Sequence, residues 1–284
     1  MRGSRVADAP WRLATCMLLL GSVGVGVGLL AQQSAYTNTI GMEFVLIRPG
    51  EMIVGKFEPP YAQPGGPGRA GSLSADQYRE VEAQAKAAYL PGFPVKIDDA
   101  YYIGKYEVTQ AEWRKVMGTN PSLFQGRQVA DDPDRHPVDN VTWDDAQAFI
   151  KKLNALENTG VYRLPTEFEW EYAARAGHDG NVAVPPYTEQ AIAGFNMYSS
   201  THPVGEKKPN AWGLYDMLGN VWEWVQDYYN GQLFADPVPS PSGTQHVLKG
   251  GSFLSASNNT IPATHAGGPG SGFDVGFRVL REAK

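Results

Sequence analysis

The sequence predicts an α+β fold with little regular secondary structure, in which loops pack around aromatic side chains. The chain of 284 residues contains 7 Trp, 14 Tyr and 11 Phe together with 32 Gly and 21 Pro. Aromatic side chains supply large buried areas, whereas abundant turn formers keep helices and strands short. With 42% hydrophobic residues, the chain can also bury a substantial core. Length alone allows residues 37–284 to form one large domain or two small ones, and the composition predicts an irregular, loop-rich fold held by aromatic packing.

Residues 1–36 have the pattern of a signal peptide or a membrane anchor. Three arginines precede an uncharged run from Leu13 to Ala31. A basic start followed by an apolar run is typical of a secretory signal. The run is also long enough to remain as an uncleaved anchor. We expect an exported, periplasmic protein cleaved near Ala31, or one anchored facing the periplasm and touching the membrane only through this segment.

Charge and cysteine content exclude two further classes. The net charge is −6 and 19% of residues are charged, with no basic block, so we expect no nucleic-acid partner. The single cysteine, Cys16, lies inside the apolar run. The exported part would therefore hold its fold without disulfides, through a large packed core.

Strand-like runs flank a block of different composition. Residues 42–54 alternate around a Pro-Gly turn and predict a hairpin. Residues 57–91 are first rich in Pro and Gly and then, over 75–89, rich in Ala and Glu, which indicates an insertion with a short helix. This insertion is either a surface excursion or a lid that contacts a partner. Residues 96–108 and 275–280 each predict a single core strand.

Three helix starts carry capping boxes, in which a Thr hydroxyl and an acidic side chain satisfy each other's backbone N–H groups. The pairs are Thr109 with Glu112, Thr142 with Asp145, and Thr166 with Glu169. The second predicted helix, 143–157, places Ala146, Phe149, Ile150 and Leu153 on one apolar face. The third, 167–176, should end at Gly177, since glycine suits the residue after a helix.

Five segments, in their order and spacing, resemble the sulfatase-modifying-factor or formylglycine-generating-enzyme family over residues 38–282. They are GMEFVLIRPGEM (41–52), YYIGKYEVTQAEW (101–113), YRLPTEFEWEYAARAG (162–177), NAWGLYDMLGNVWEW (210–224) and KGGSF with GFRV (249–253 and 276–279). The resemblance implies a formylglycine-generating-enzyme-like variant of the C-type lectin fold, which is α+β with low regular secondary structure.

The resemblance also implies structural calcium. Carried over by position, the ligands would be the carbonyls of Leu218, Gly219 and Val221 with the carboxylate of Glu223, and hard oxygen ligands suit this ion. The alternative is that Glu223 pairs with an arginine, the candidates being Arg163, Arg175 and Arg278. A second family site would use Asn196 and Met197, but the acidic loop that completes it is missing here.

The family's copper chemistry lacks its ligands in this chain. Formylglycine enzymes hold copper on two cysteines, and the matching positions are Ser255 and Thr260. Hydroxyls are neither soft copper ligands nor thiolate-like nucleophiles, so copper and the known formylglycine route are not expected. Another branch binds iron through three histidines, but the five histidines here are scattered, and iron is not expected either.

The segment between the last two matching blocks supplies the candidate site residues. It contains Ser255, Thr260, His265 and Asp274. His265 and Asp274 could form an acid–base pair, with Ser255 as the nucleophile of a triad. Alternatively, these side chains satisfy backbone groups of the loop.

Export, size and the missing cysteines resemble a periplasmic branch of the family linked to maturation of the siderophore pyoverdine. That resemblance implies a maturation enzyme acting, by oxidation, on a peptide or peptide-derived substrate such as a siderophore precursor. The alternative is a non-catalytic binding or accessory module whose lectin-like groove takes a partner protein or a small ligand. The sequence leaves open whether the protein is an enzyme, because a fold does not determine a function.

Overall fold

The computed structural model describes residues 35–55, 92–178, 191–192, 199–233, 240–255, 260–268 and 270–283, all within one compact unit from Gln33 to Lys284. Some predictions lie outside the described residues, namely the signal or anchor up to Ser34, the helix within 75–89, and the calcium ligands Asn196 and Met197. Among the described helices, none has both the length and the apolar character needed to cross a membrane.

Short strands outnumber helices along the described chain. The helices are α1 (Gln110–Met117), α2 (Trp143–Leu156) and α3 (Glu167–Arg175), with 3-10 turns at Gly126–Gln128 and Pro133–Arg135. The strands are β1 (Ala35–Thr37), β2 (Glu43–Ile47), β3 (Gly50–Val54), β4 (Phe93–Ile97), β5 (Tyr101–Gly104), β6 (Tyr162–Arg163), β7 (Ala191–Ile192), β8 (Leu218–Gly219), β9 (Trp222–Tyr228), β10 (His246–Lys249), β11 (His265–Gly268), β12 (Val275–Phe277) and β13 (Leu280–Glu282).

Two larger sheets carry the fold. The five-stranded sheet has the order β1-β2-β5-β13-β6, and each of its pairings is antiparallel. The four-stranded sheet has the order β11-β10-β9-β12, in which β12 runs parallel to β9. Two smaller ladders join β3 to β4 and β7 to β8. Strands that are distant in sequence therefore lie side by side, and this arrangement positions the site.

The hairpin predicted for residues 42–54 is wrong. β2 lies between β1 and β5, so both of its edges are occupied, and β3 pairs instead with β4. The β3–β4 ladder brings Val54 opposite Phe93, on either side of the predicted insertion. At the short Pro-Gly segment the chain thus leaves the five-stranded sheet and enters the β3–β4 ladder.

The two single strands predicted at 96–108 and 275–280 are each divided. β4 and β5 belong to different sheets, and so do β12 and β13. Between β12 and β13 the side chain of Arg278 turns into the interior, where it is 0% exposed. The carbonyl of Val279 accepts a hydrogen bond from the N–H of Gly104 at 2.8 Å. The chain therefore passes from the four-stranded sheet to the five-stranded sheet at this point. A run of apolar residues in the sequence does not reveal such a change of sheet.

The helix predictions are confirmed. All three capping boxes form, including the one in which Asp145 replaces the usual Glu. The buried residues of α2 are Ala146, Phe149, Ile150 and Leu153. α3 ends one residue earlier than predicted, because Ala176 already takes the left-handed conformation, with φ of 49°, ahead of Gly177.

Aromatic side chains fill the core, as the composition predicts. Trp113 stacks on Phe149 at 5.5 Å, and Phe277 meets both rings edge-on, which joins α1, α2 and β12. Trp170 of α3 and Trp224 of β9 are 0% and 2% exposed. The two indoles lie in different parts of the core: Trp170 belongs to the cluster that contains Val225 and Val247, and Trp224 to the cluster that contains Leu248 and Phe277.

Candidate functional site

The turn after β10 brings two of the predicted site residues together. Gly250 and Gly251 have φ of 88° and 77°, a conformation that favours glycine. A Cβ on Gly251 would lie 3.2 Å from the Ser255 hydroxyl oxygen and 3.1 Å from that of Thr260. The two hydroxyls therefore stand on the same side of this turn, and a side chain at position 251 would press on both.

A short row of hydrogen bonds joins this turn to Asp274. The backbone N–H of Ser252 donates to the Ser255 hydroxyl at 2.9 Å, and the Ser252 hydroxyl donates to Asp274 Oδ2 at 2.8 Å. The N–H of Leu254 donates to the same Ser252 hydroxyl at 3.3 Å. Three of the four predicted site residues, Ser255, Thr260 and Asp274, thus lie close together around this turn. Ser252, which the sequence did not single out, connects Ser255 to Asp274.

His265 lies elsewhere, so the predicted pairing of His265 with Asp274 does not form, and neither does the triad. β11, which carries His265, is separated from β12 by two strands, or about 14 Å at the usual spacing. His265 Nδ1 is 3.0 Å from Glu167 Oε1, and its ring packs against Tyr229. Strand order decides this separation, because residues close in sequence occupy opposite edges of the sheet.

A buried carboxylate missed by the sequence reasoning supports the loop beside this row. Asp139 is 0% exposed, and it accepts hydrogen bonds from the N–H groups of Leu123 at 2.7 Å and Phe124 at 3.3 Å. Its own N–H donates to the Ser122 hydroxyl at 3.1 Å. Burial raises the pKa of Asp139 to about 6, although the two N–H donors act in the opposite direction; the charge of Asp274 raises it further.

An apolar surface, here called the aromatic face, adjoins Asp274 and consists of Leu123, Phe124, Phe253 and Phe273. The ring of Phe124 meets those of Phe253 and Phe273 at 5.4 and 6.2 Å, edge-on in both cases. Leu123 is 46% exposed and Phe273 is 45% exposed. Phe124 and Phe253 are buried, so the accessible part of this region consists of Leu123 and Phe273 beside the partly exposed Ser255 and Asp274, which can contact an apolar side chain and hydrogen-bond a backbone.

Glu223 lies in a buried ion pair rather than in an open position. Arg278 donates to its two carboxylate oxygens at 2.7 and 2.6 Å, and Trp170 Nε1 donates to Oε2 at 2.6 Å. Because these donors engage both oxygens, Glu223 does not fit a calcium ligand in this arrangement. Of the two alternatives that the sequence left open for Glu223, the structure shows the one in which it pairs with Arg278. Calcium binding at the carbonyls of Leu218, Gly219 and Val221 stays a prediction.

Two more buried carboxylates lie close to Arg278. Glu107 accepts from Asn220 Nδ2 at 2.6 Å and from the N–H of Val221 at 3.1 Å. Burial raises the pKa of Glu107 well above its ordinary value, and the charges of Asp216 and Glu223 raise it further. Burial also raises the pKa of Asp216 to about 6, against the N–H of Gly205 and the charge of Arg278. One buried guanidinium thus faces three acidic groups.

A second charged network lies under α3. The Lys249 ammonium, 0% exposed, is 3.1 Å from Glu171 Oε2 and 3.6 Å from Glu167 Oε1. It also lies 5.7 Å from the ring of Trp170, and Arg175 Nε donates to Glu171 at 2.9 Å. Although burial raises the pKa of Glu167, the charges of Lys249 and His265 bring it below its ordinary value.

In the described part of the chain, no three histidine, cysteine, aspartate or glutamate side chains are placed to share one metal ion.

Comparison with known proteins points to one family. The model of the sulfatase-modifying factor enzyme 1-like domain matches residues 32–283. The chaperone protein LppX of Paenibacillus barcinonensis is 32% identical over 239 residues, which cover 64% of this chain and 80% of that protein. The formylglycine-generating enzyme of Thermomonospora curvata is 37% identical over 171 residues, or 52% of either chain, so the match spans about half of that enzyme.

Solved structures confirm the predicted fold class. The Treponema denticola variable protein 1 has a TM-score of 0.65 and 28% identity, with 88% of this chain and 99% of that chain covered. PvdO from Pseudomonas aeruginosa has a TM-score of 0.63 and 21% identity, with 88% and 98% covered, which is a likeness of fold alone.

Proposed function

Because this chain belongs to the sulfatase-modifying factor enzyme 1-like family, we propose that it is an exported binding module that recognises an extended polypeptide beside Ser255 and Asp274. One observation carries the proposal: the aromatic face, of which Leu123 and Phe273 are half-exposed, lies beside the partly exposed Asp274 carboxylate. Half-exposed Leu123 and Phe273 can contact apolar side chains of a ligand. The partly exposed Asp274 carboxylate can accept hydrogen bonds from its backbone N–H groups or pair with a basic side chain, and the partly exposed Ser255 hydroxyl can donate to its backbone carbonyls.

The chemistry of the chain supports binding over thiol catalysis. Ser255 and Thr260 stand where the family resemblance implies redox cysteines, and Cys16 is the only cysteine of the sequence. The Ser255 hydroxyl already accepts the N–H of Ser252. The relative LppX is a chaperone protein, which also fits a polypeptide ligand, and the N-terminal segment fits export.

The second candidate is a periplasmic maturation enzyme that oxidises a peptide-derived substrate such as a siderophore precursor. The observation that favours it is the close approach of the Ser255 and Thr260 hydroxyls to one side of Gly251, which brings the two positions that match the family's cysteines together. The fold of PvdO is consistent with this candidate but carries no activity to this chain.

Binding is tested with a fluorescein-labelled peptide of about twelve residues in which phenylalanine and lysine alternate with serine, long enough to lie extended along the site. Fluorescence anisotropy with the full chain should show saturable binding. The double variant Leu123→Ser with Phe273→Ser should weaken it by about tenfold or more, since two apolar contacts are removed.

The matched control is Leu156→Ser, which removes another exposed leucine, 57% exposed, at the end of α2. Equal affinity for the double variant and this control would refute recognition through the aromatic face. The second candidate is tested by mass spectrometry of the peptide after incubation with the protein in air. A mass change that shows oxidation of many peptide molecules per protein molecule favours the maturation enzyme over the binding module.

A further inference from the structure

We propose that Asp139 is a positioning residue of the aromatic face: its carboxylate holds the backbone of Leu123 and Phe124, so that polypeptide binding requires the ionised form. The binding step rests on the proposed function, whereas the positioning step does not. Peptide binding at the aromatic face therefore depends on pH, a property that no motif of the sequence indicates.

The geometry supports a positioning role. The two carboxylate oxygens of Asp139 accept from consecutive N–H groups, Oδ1 from Leu123 at 2.7 Å and Oδ2 from Phe124 at 3.3 Å. The same two residues place an exposed leucine and the central ring of the aromatic face. Protonation puts a hydrogen on one oxygen, which becomes a donor and a weaker acceptor, and it removes the negative charge that strengthens both bonds. Protonation thus weakens the two bonds that hold this loop.

The charges around Asp139 are few. The neighbouring segments 120–125, 137–142 and 250–255 contribute no other acidic or basic side chain, and segment 270–274 contributes Asp274. The charge of Asp274 raises the pKa of Asp139, in the same direction as burial, which is the larger cause. Removing the Asp274 charge should therefore lower the pKa of Asp139, so that its carboxyl ionises at a lower pH.

Binding and folding respond to this group with opposite signs. The pKa of Asp139 is raised from its ordinary 3.8 to about 6, so its contribution to folding is fully present below about pH 3.8 and is lost as the pH rises through about 6. Ligand binding, in contrast, gains as the pH rises through about 6, because the ionised fraction grows. Acid should thus weaken binding without any loss of stability from this group.

The positioning step is tested without a ligand, in the full chain labelled with ¹⁵N-leucine and ¹⁵N-phenylalanine. The amide signals of Leu123 and Phe124 should shift with a midpoint near pH 6. In Asp139→Asn the shift should disappear, and in Asp274→Asn it should remain with a lower midpoint. Amides that do not titrate near pH 6 in the wild type overturn the proposal, even if the Asp139 variant fails to fold.

The binding step uses the same labelled peptide. At about pH 5 roughly a tenth of Asp139 is ionised, so wild-type affinity should be about tenfold weaker than at about pH 7.5. Asp139→Asn cannot ionise, so it should bind more weakly than the wild type does even at about pH 5, by more than tenfold relative to the wild type at about pH 7.5, and show little dependence on pH. Wild-type affinity that is equal at the two values overturns the coupling to binding. Absence of peptide binding at both values refutes the proposed function, while the amide titration still decides the positioning role.

Discussion

Trp170 donates its indole N–H to Glu223 at 2.6 Å while its ring lies 5.7 Å from the ammonium of Lys249. One side chain of α3 therefore contacts both buried ion networks of the four-stranded sheet. Glu223 and Lys249 are partners across β9 and β10, so they project from the same face. The junction between α3 and the sheet combines apolar packing with directed, charged contacts.

The first prediction concerns Glu223→Gln. The substitution removes the charged partner that hydrogen-bonds Arg278, while the acidic groups of Glu107 and Asp216 stay near the guanidinium. We therefore expect a loss of about 3 kcal/mol in the free energy of unfolding by urea, at the lower end of the range for a broken buried pair. The loss should be the same with calcium and with chelator, because Arg278 and Trp170 already occupy both oxygens. Glu43→Gln, which breaks an exposed pair with Lys105, is the control and should cost at most about 1 kcal/mol. A loss that appears only with calcium would instead assign Glu223 as a calcium ligand.

The second prediction concerns the close packing of β11 against Trp224. A Cβ on Gly268 would lie 2.1 Å from Cη2 of Trp224, whose indole is buried and donates to the carbonyl of Val141. Gly268→Ala should therefore lower the free energy of unfolding by about 3 kcal/mol. Gly160→Ala is the matched control, since a Cβ there meets no atom within 4 Å. Equal urea midpoints for the two variants would show that β11 moves away at little cost.

The third prediction concerns the dependence of stability on pH. The pKa of Asp216 is raised from 3.8 to about 6, so its contribution to folding is present below about pH 3.8 and is lost as the pH rises through about 6. Asp216→Asn removes this charge but keeps an oxygen that can accept the N–H of Gly205, and asparagine tolerates the φ of 55°.

The variant should gain on the order of 2–3 kcal/mol over the wild type near neutral pH, and the gain should vanish near pH 4. Urea unfolding at several pH values measures the difference. A gain that is constant across this range would mean that Asp216 does not change its ionisation there, and the charge argument would fail.

The fourth prediction concerns the paired hydroxyls. Because both oxygens stand against one side of Gly251, the double variant Ser255→Cys with Thr260→Cys should bring two thiols into reach of one copper(I) ion. Competition with a colorimetric copper(I) chelator should show one additional bound equivalent relative to the single variant Ser255→Cys. Cys16 gives the same background in both. Two thiols that titrate freely and retain no copper would show that the positions are too far apart.

Local features of the fold could be predicted from the sequence. The capping boxes and the apolar face of α2 depend on residues three or four apart, and each forms as predicted. The spacing of the family segments singled out Ser255 and Thr260 together, whereas Asp274 was expected to pair with His265, which it does not. These features share a short sequence range or a recognised pattern, which is the information that one sequence contains.

Long-range features could not be predicted. The partners of β2 and β3 depend on strands that come later in the chain, so the alternating pattern around a Pro-Gly turn gave a hairpin that does not form. His265 faces Glu167 because β11 lies at the far edge of the sheet from β12. Asp139 carries no motif, and its role depends on the backbone of a loop about fifteen residues away.

The charged junction beneath α3 has a consequence for how this fold accommodates change. Apolar surfaces tolerate small sliding, because neighbouring positions offer similar contacts, whereas an ion pair or an indole hydrogen bond is satisfied in one position only. Contacts from Glu167, Trp170 and Glu171 to the sheet therefore set a single register for the helix. Loops anchored to a scaffold with one register can vary in length and chemistry without displacing the strands that support them. The turn after β10, which carries Ser255, is a segment in which such variation can occur.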